Sequence, residues 1–289
     1  MGKVILIGGN VEKGEPLIAK RGKHWLRKRE PEILERILAE MNGINSRIEI
    51  ITSASKIPAE VGKEYKTALK RLKCTKNVGL MHFTSRKAAD KKEFIDRINA
   101  CDGIILTGGD QVLLCRTLLK SNLLRAIKKR FKNEKDFLIS GTSAGAMALA
   151  DIMIADGQAS DALTKGHIKL SKGLGILKEI IVDTHFIQRS RFGRLIEAVS
   201  SHPSKLGIGL GENTAVFFQK PEMVETIGAN LVVLIDGSKI TYNNIDRIRN
   251  NESICVEDLK VHILPKHHMF NITKKKIYFK PKPLKKIKL

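Results

Sequence analysis

Aromatic side chains make up only 5% of the 289 residues, with a single Trp and three Tyr. They are not interleaved with the basic stretches, as a stacking platform for single-stranded nucleic acid requires. No zinc-finger spacing or RNA-recognition aromatic motif is present either, so nucleic acid is not expected as a partner. Apolar runs are short: the segment 231–235 falls far below the roughly 18 to 20 residues that span a bilayer, so no membrane is expected. Near the start, the apolar run 4–7 stops at Gly8-Gly9, well under the core of about 7 to 15 residues of a signal peptide. Leu6 also breaks the myristoylation pattern. The reading is a chain that begins at its own Met and stays in the cytoplasm. Cys74, Cys101, Cys115 and Cys255 contain no C-x-x-C pair and read as buried reduced thiols. The eight histidines form no H-E-x-x-H cluster, so no metal is expected.

What is present suits a folded globular chain: 42% hydrophobic and 28% charged residues. The charge is one-sided, 52 basic against 30 acidic side chains for a net +22. Residues 271–289 contain eight lysines and no acid. We read a single domain over 1–272, a Lys-rich tail over 273–289, and a lysine-rich solvated surface elsewhere.

Apolar runs bounded by glycine alternate with helical periodicity through the first two thirds of the chain. Strands are predicted at 4–7, 47–52, 78–83, 103–107, 137–140 and 180–183. Helices are predicted at 32–41, 60–72, 91–99, 111–119, 123–131 and 191–200, with a small-residue helix starting near Ser143. This alternation implies an α/β fold with a mostly parallel sheet covered by helices on both faces. From Gly207 the helices stop, and short strands at 207–210, 215–219 and 231–235 predict an antiparallel extension of the same sheet.

Ligands in such sheets lie beyond the carboxyl ends of the strands. Gly8-Gly9, Gly108-Gly109, Gly141-Thr142-Ser143 and Asp183-Thr184-His185 stand at predicted strand ends. Gly9 through Gly14 has the spacing of a phosphate loop, but Glu15 occupies the lysine position and would repel phosphate. Gly141-Thr142-Ser143-Ala144-Gly145 is a G-x-S-x-G turn between a strand and a helix, able to present a serine hydroxyl beside free backbone amides. A turn with no chemistry would use the same small residues. A serine needs a base to be nucleophilic, and His185 follows another strand end, although a lone histidine among apolar residues is commonly structural. Arg189, Arg191 and Arg194 fit either a solvated helix face or a pocket for a carboxylate. Glu212, after a third strand, could orient an imidazole, in the chain order Ser, His, Glu. An α/β-hydrolase has the acid before the histidine, which disfavours that fold.

Taken together, Leu6 to Asn10, Thr52 to Tyr65, Thr107 to Gln111, Gly141 to Ala146, Asp183 to Phe186, Arg189 to Leu195, Gly207 to Ala215 and Asp258 to Leu264 resemble, in order, the serine-peptidase family that contains the cyanophycinases and aspartyl dipeptidases. The resemblance implies a flavodoxin-like, class I glutamine-amidotransferase-like sheet, usually in a homodimer and with no cofactor. It implies Ser143 as nucleophile, His185 as base and Glu212 as orienting acid. Ala144 with Gly109 or Asp110 would form the oxyanion hole. Gln111, Asp183, Thr184, Arg189, Arg191 and Arg194 would line the substrate pocket. The implied reaction hydrolyses the polyaspartate backbone of cyanophycin to β-Asp-Arg dipeptides, with other β-aspartyl or acidic peptides as the alternative. A basic binding protein on the same fold is the non-enzymatic alternative. The chain departs from the family pattern at Thr184, where Gln is usual, and at Gly211, where Asp is usual; both are expected near the site.

Overall fold

A computed structural model describes residues 1–13, 31–75 and 77–279; Glu15 and residues 280–289 of the basic tail lie outside the described residues. The first half alternates β1 (Lys3–Ile7), α1 (Glu32–Ala39), β2 (Ile48–Ile51), α2 (Pro58–Arg71), β3 (Val78–Met81), α3 (Arg86–Ala89), α4 (Lys92–Ala100), β4 (Gly103–Leu106), α5 (Gln111–Leu118), α6 (Asn122–Asn133), β5 (Leu138–Thr142) and α7 (Ala144–Ala148). There follow the antiparallel pair β6 (Ile152–Asp156) and β7 (Lys169–Lys172), then β8 (Ile180–Thr184) and α8 (Phe192–Ser201). The rest is strands: β9 (Leu206–Leu210), β10 (Thr214–Lys220), β11 (Met223–Gly228), β12 (Val232–Asp236), β13 (Tyr242–Asn243), β14 (Val256–Glu257), β15 (Lys260–Leu264), β16 (His268–Asn271) and β17 (Lys276–Phe279).

The main sheet has nine strands in the order β17-β16-β11-β10-β1-β5-β4-β2-β3. From β1 to β3 the pairs are parallel, and from β1 to β17 they are antiparallel. Side chains of β1 divide by the two-residue period of a strand. Val4 and Leu6 enter a core formed with α4 to α8, while Ile5 and Ile7 enter one formed with α1 and α2. All four are fully buried, which is why this strand reads as a continuous apolar run.

Two features depart from the expectations. Strands β8, β9, β12 and β15 form a separate four-stranded sheet, although one sheet was expected to take up all the later strands. The reason is edge occupancy: β1 is already paired by β5 on one side and β10 on the other, so β8 has no edge of β1 to join. Gly207 and Gly209 on β9 let α8 and Phe186 approach closely, since a side chain there would meet Val199, Leu195 and the Phe186 ring. In addition, residues 276–279, read as the start of the tail, pair with β16 as the outer strand of the main sheet. Cys74, Cys101 and Cys115 are buried, but Cys255 is exposed. Burial pushes the Cys101 and Cys115 thiols up to about 12, so both stay protonated. No helix among the described residues is long and apolar enough to cross a membrane.

Phe137 precedes β5 at the end of the sheet remote from Ser143, is almost fully buried, and has the Arg130 guanidinium 4.3 Å from its ring centre. Replacing it with Ala removes the Arg130 contact and leaves a cavity. Phe137→Ala should lower unfolding free energy by about 3 to 5 kcal/mol in urea titrations. A loss below about 1 kcal/mol would contradict this packing.

Candidate active site

The end of β1 is where the main and second sheets meet. The Ile7 carbonyl accepts from the Ser143 amide at 2.9 Å, the Gly8 carbonyl from the His185 amide at 2.8 Å, and the Gly9 carbonyl from the Asn213 amide at 2.8 Å. Three successive carbonyls therefore hold the turns after β5, β8 and β9. Glycine is required here by contact: a methyl group on Gly8 would stand 2.0 Å from the Gly211 carbonyl oxygen. One on Gly9, whose φ is +107°, would stand 2.3 Å from Cε1 of His185. The residues so held are themselves strained. Ser143, His185, Asn10 and Asn213 all have left-handed backbones, with φ between 44° and 51°, a conformation that non-glycine residues adopt at some cost when the surroundings impose it.

These turns bring a hydroxyl, an imidazole and a carboxylate together. Ser143 Oγ lies 2.9 Å from His185 Nε2, and His185 Nδ1 lies 2.7 Å from Glu212 Oε1. With the proton on Nδ1 donated to the carboxylate, Nε2 accepts from the serine hydroxyl. Glu212 is fixed through its backbone as well: its amide donates to Gln188 Oε1 at 3.0 Å, and its carbonyl accepts from Thr214 Oγ1 and Asn230 Nδ2. The hydrogen bond from His185, with the polar Asn10 side chain and the Arg189 charge nearby, holds the Glu212 carboxyl below its ordinary value. It therefore stays ionised and able to stabilise an imidazolium. Beside Ser143 runs the Gly108-Gly109-Asp110 turn; a methyl on Gly108 would lie 3.4 Å from the serine Cβ. The Ala144 and Gly109 amides make no backbone hydrogen bond among the described residues. The Asp110 amide is already taken by the Ala54 carbonyl at 2.8 Å, and its carboxylate caps α5 through Val112 and Leu113. Asp110 is thereby removed from the residues expected to bind an oxyanion.

The expected substrate pocket needs more correction. Asp183 is 0% exposed and pairs with Arg191 at 3.1 Å and Arg194 at 3.1 Å. Burial pushes its carboxyl up against the two guanidinium groups that pull it down. Arg194 is 5% exposed and also donates to the Gly157 carbonyl at 2.7 Å. Arg191 is partly buried and donates to the Thr184 carbonyl. Thr184 is 1% exposed, its hydroxyl 3.4 Å from the Met147 sulfur, so its departure from the family pattern lies in the core. Gly211 packs beside Asn230 and Leu231, where a Cβ would meet atoms at 3.1 and 3.2 Å. Gln111 spends its amide on the Ile154 and Ala155 carbonyls at 3.0 and 2.9 Å. Arg189 alone of the three arginines is exposed, on the turn after His185 and near Glu212. The sequence placed these residues together but carried no sign of which were buried. It also passed over Asn10, Gln188 and Asn230, whose amides gave no catalytic signal. Among the described residues no group of three or more His, Cys, Asp or Glu is placed to hold a metal ion.

Because Arg194 neutralises a buried carboxylate, Arg194→Ala should lower stability by about 3 to 5 kcal/mol. Arg189→Ala should stay within about 0.5 kcal/mol of the parent. Denaturant midpoints decide it. An Arg194→Ala chain as stable as the parent, yet weakened in substrate binding, would return that arginine to the pocket.

Peptidase family S51 matches residues 17–226 of the chain. A cyanophycinase from Geminocystis herdmanii is 34% identical over 240 residues, which cover 83% of this chain and 88% of that protein. One from Thermosynechococcus vestitus is 32% identical over 271 residues, 94% of this chain and 79% of that one. A solved peptidase from an acI-B1 actinobacterium superposes with a TM-score of 0.61 at 17% identity, covering 93% of this chain and 96% of that chain. A putative peptidase E from Listeria monocytogenes gives 0.53 at 15% identity, covering 80% and 100%. These two likenesses speak for the fold alone, an α/β fold with a large, partly parallel central sheet. The chain belongs to peptidase family S51 and is a serine-type peptidase.

Proposed function

We propose that this peptidase hydrolyses the polyaspartate backbone of cyanophycin as an exopeptidase, releasing β-Asp-Arg dipeptides through an acyl-enzyme on Ser143. The observation that carries the reading is the in-line set of hydroxyl, imidazole and carboxylate at 2.9 and 2.7 Å. The cyanophycinases among its relatives supply the substrate class. Ser143 Oγ attacks the scissile carbonyl carbon while its proton passes to His185 Nε2. The oxyanion is met by the Ala144 and Gly109 amides. Collapse breaks the C–N bond, and His185 returns the proton to the departing amine. A water then repeats the sequence against the ester, with its proton taken by His185, and frees Ser143. Glu212 stays ionised throughout and balances the imidazolium. Arg189, exposed beside Glu212, is the cation assigned to a substrate carboxylate. The family resemblance adds a homodimer to this reading.

Purified cyanophycin is the test substrate, with products identified by mass spectrometry. The parent chain should release β-Asp-Arg. Ser143→Ala should lower the rate by about 10⁴-fold or more with an unchanged thermal midpoint. A Ser143→Ala variant that keeps most of its activity sinks the serine mechanism. A parent chain that cleaves α-linked Asp-X dipeptides and leaves the polymer intact sinks the substrate and leaves the family.

A further inference from the structure

Strands β8 and β9 pair in parallel, from Ile180 opposite Leu206 to Thr184 opposite Leu210, and the ladder ends where His185 turns away with φ 50°. A backbone bond carries the pairing one step further, the Phe186 amide donating to the Leu210 carbonyl at 3.0 Å. Two residues on, the Glu212 amide donates to a side chain instead, Gln188 Oε1, at 3.0 Å. A backbone N–H can only donate, so it is the oxygen of the Gln188 amide that faces Glu212. Gln188 stands on the same turn as the base. The Arg189 amide donates to the His185 carbonyl at 2.9 Å, the Arg191 amide to the Phe186 carbonyl at 3.0 Å, and the fully buried Phe186 ring anchors the turn. We infer that Gln188 is a positioning residue: it ties the backbone of Glu212 to the turn that bears His185, and so keeps the carboxylate opposite His185 Nδ1. This role rests on the triad reading above and adds a residue to it.

The chemistry requires such a tie. A glutamate carboxylate hangs from the backbone by several rotatable bonds, so its 2.7 Å contact with His185 depends on where that backbone is held. The Glu212 carbonyl accepts from Thr214 Oγ1 at 3.1 Å and from Asn230 Nδ2 at 2.6 Å, which fixes one side of the residue to the start of β10 and the turn after β11. Gln188 fixes the other side, and it does so from the turn of the base. Its side chain is exposed, so water can satisfy the Glu212 amide once Gln188 is lost. Water meets the donor without tethering it to His185. The loss is therefore one of alignment and not of folding. A carboxylate oxygen at the same reach restores the tether, whereas a thioether end, a weak acceptor, does not.

Two substitutions of similar length separate the oxygen from the bulk: Gln188→Met removes it and Gln188→Glu keeps an acceptor. Each is read in two ways at neutral pH. Proton NMR follows the hydrogen between His185 Nδ1 and Glu212, which resonates far downfield in a charge-assisted bond, is assigned by its loss in His185→Ala, and needs no substrate. That resonance should move upfield and exchange faster with water in Gln188→Met, and stay near the parent position in Gln188→Glu. In the hydrolysis assay, Gln188→Met should lower kcat about tenfold with KM and the thermal midpoint nearly unchanged, and Gln188→Glu should recover most of that loss. A parental resonance or a parental kcat in Gln188→Met overturns the inference, and so does a Gln188→Glu chain as impaired as Gln188→Met. If the parent chain leaves cyanophycin intact, the substrate reading fails and the resonance alone decides the role of Gln188. A parent chain without that resonance removes the triad reading and this inference together.

Discussion

Backbone hydrogen bonds from the end of β1 determine where Ser143, His185 and the turn after Glu212 stand. Ile7, Gly8 and Gly9 each offer a carbonyl to a different turn, and those turns carry Ser143, His185 and Asn213. β1 can do this because it is buried on both faces and paired on both edges, so its end is firmly anchored. The turns it holds have backbones that cost free energy when unsupported. Their strain is offset by packing that extends well beyond the site, and a small displacement of β1 would misalign all three groups together.

The site is a seam between two sheets. Ser143 follows a strand of the main sheet, while His185 and Glu212 follow neighbouring parallel strands of the second. Close approach across that seam explains why glycine stands at positions 8 and 9, where any Cβ would strike Gly211 or the imidazole. The buried Asp183-Arg191-Arg194 cluster serves the same geometry from below. It fastens α8 to the end of β8 and, through Gly157, to the end of β6. Gln111 grips β6 from the other side, at Ile154 and Ala155. Charge here supports the walls of the site, and Arg189 is left facing solvent.

Much of this was legible in the sequence where the signal is local. Apolar runs with a two-residue or continuous pattern mark β1, β2, β4 and β5, and the 3.6-residue period marks the helices between them. The serine turn, His185 and Glu212 could be read because each follows a strand end and has a chemical type that the others need. What escaped depends on contacts distant in sequence. The second sheet follows from β1 having no free edge, a fact about pairing rather than composition. Arg191 and Arg194 look like a carboxylate pocket in the sequence, because only three-dimensional packing reveals that Asp183 is buried between them. Asn10 and Gln188 are ordinary amides until Glu212 is placed beside them.

The proposed activation of Ser143 by His185 has a direct chemical signature. The most direct measurement is the site of covalent modification by a fluorophosphonate, mapped by peptide mass spectrometry in the full chain and in His185→Ala. A single adduct on Ser143, formed far more slowly when His185 is absent, is the predicted result. An adduct on another residue, or labelling of Ser143 at an unchanged rate in His185→Ala, would contradict the account.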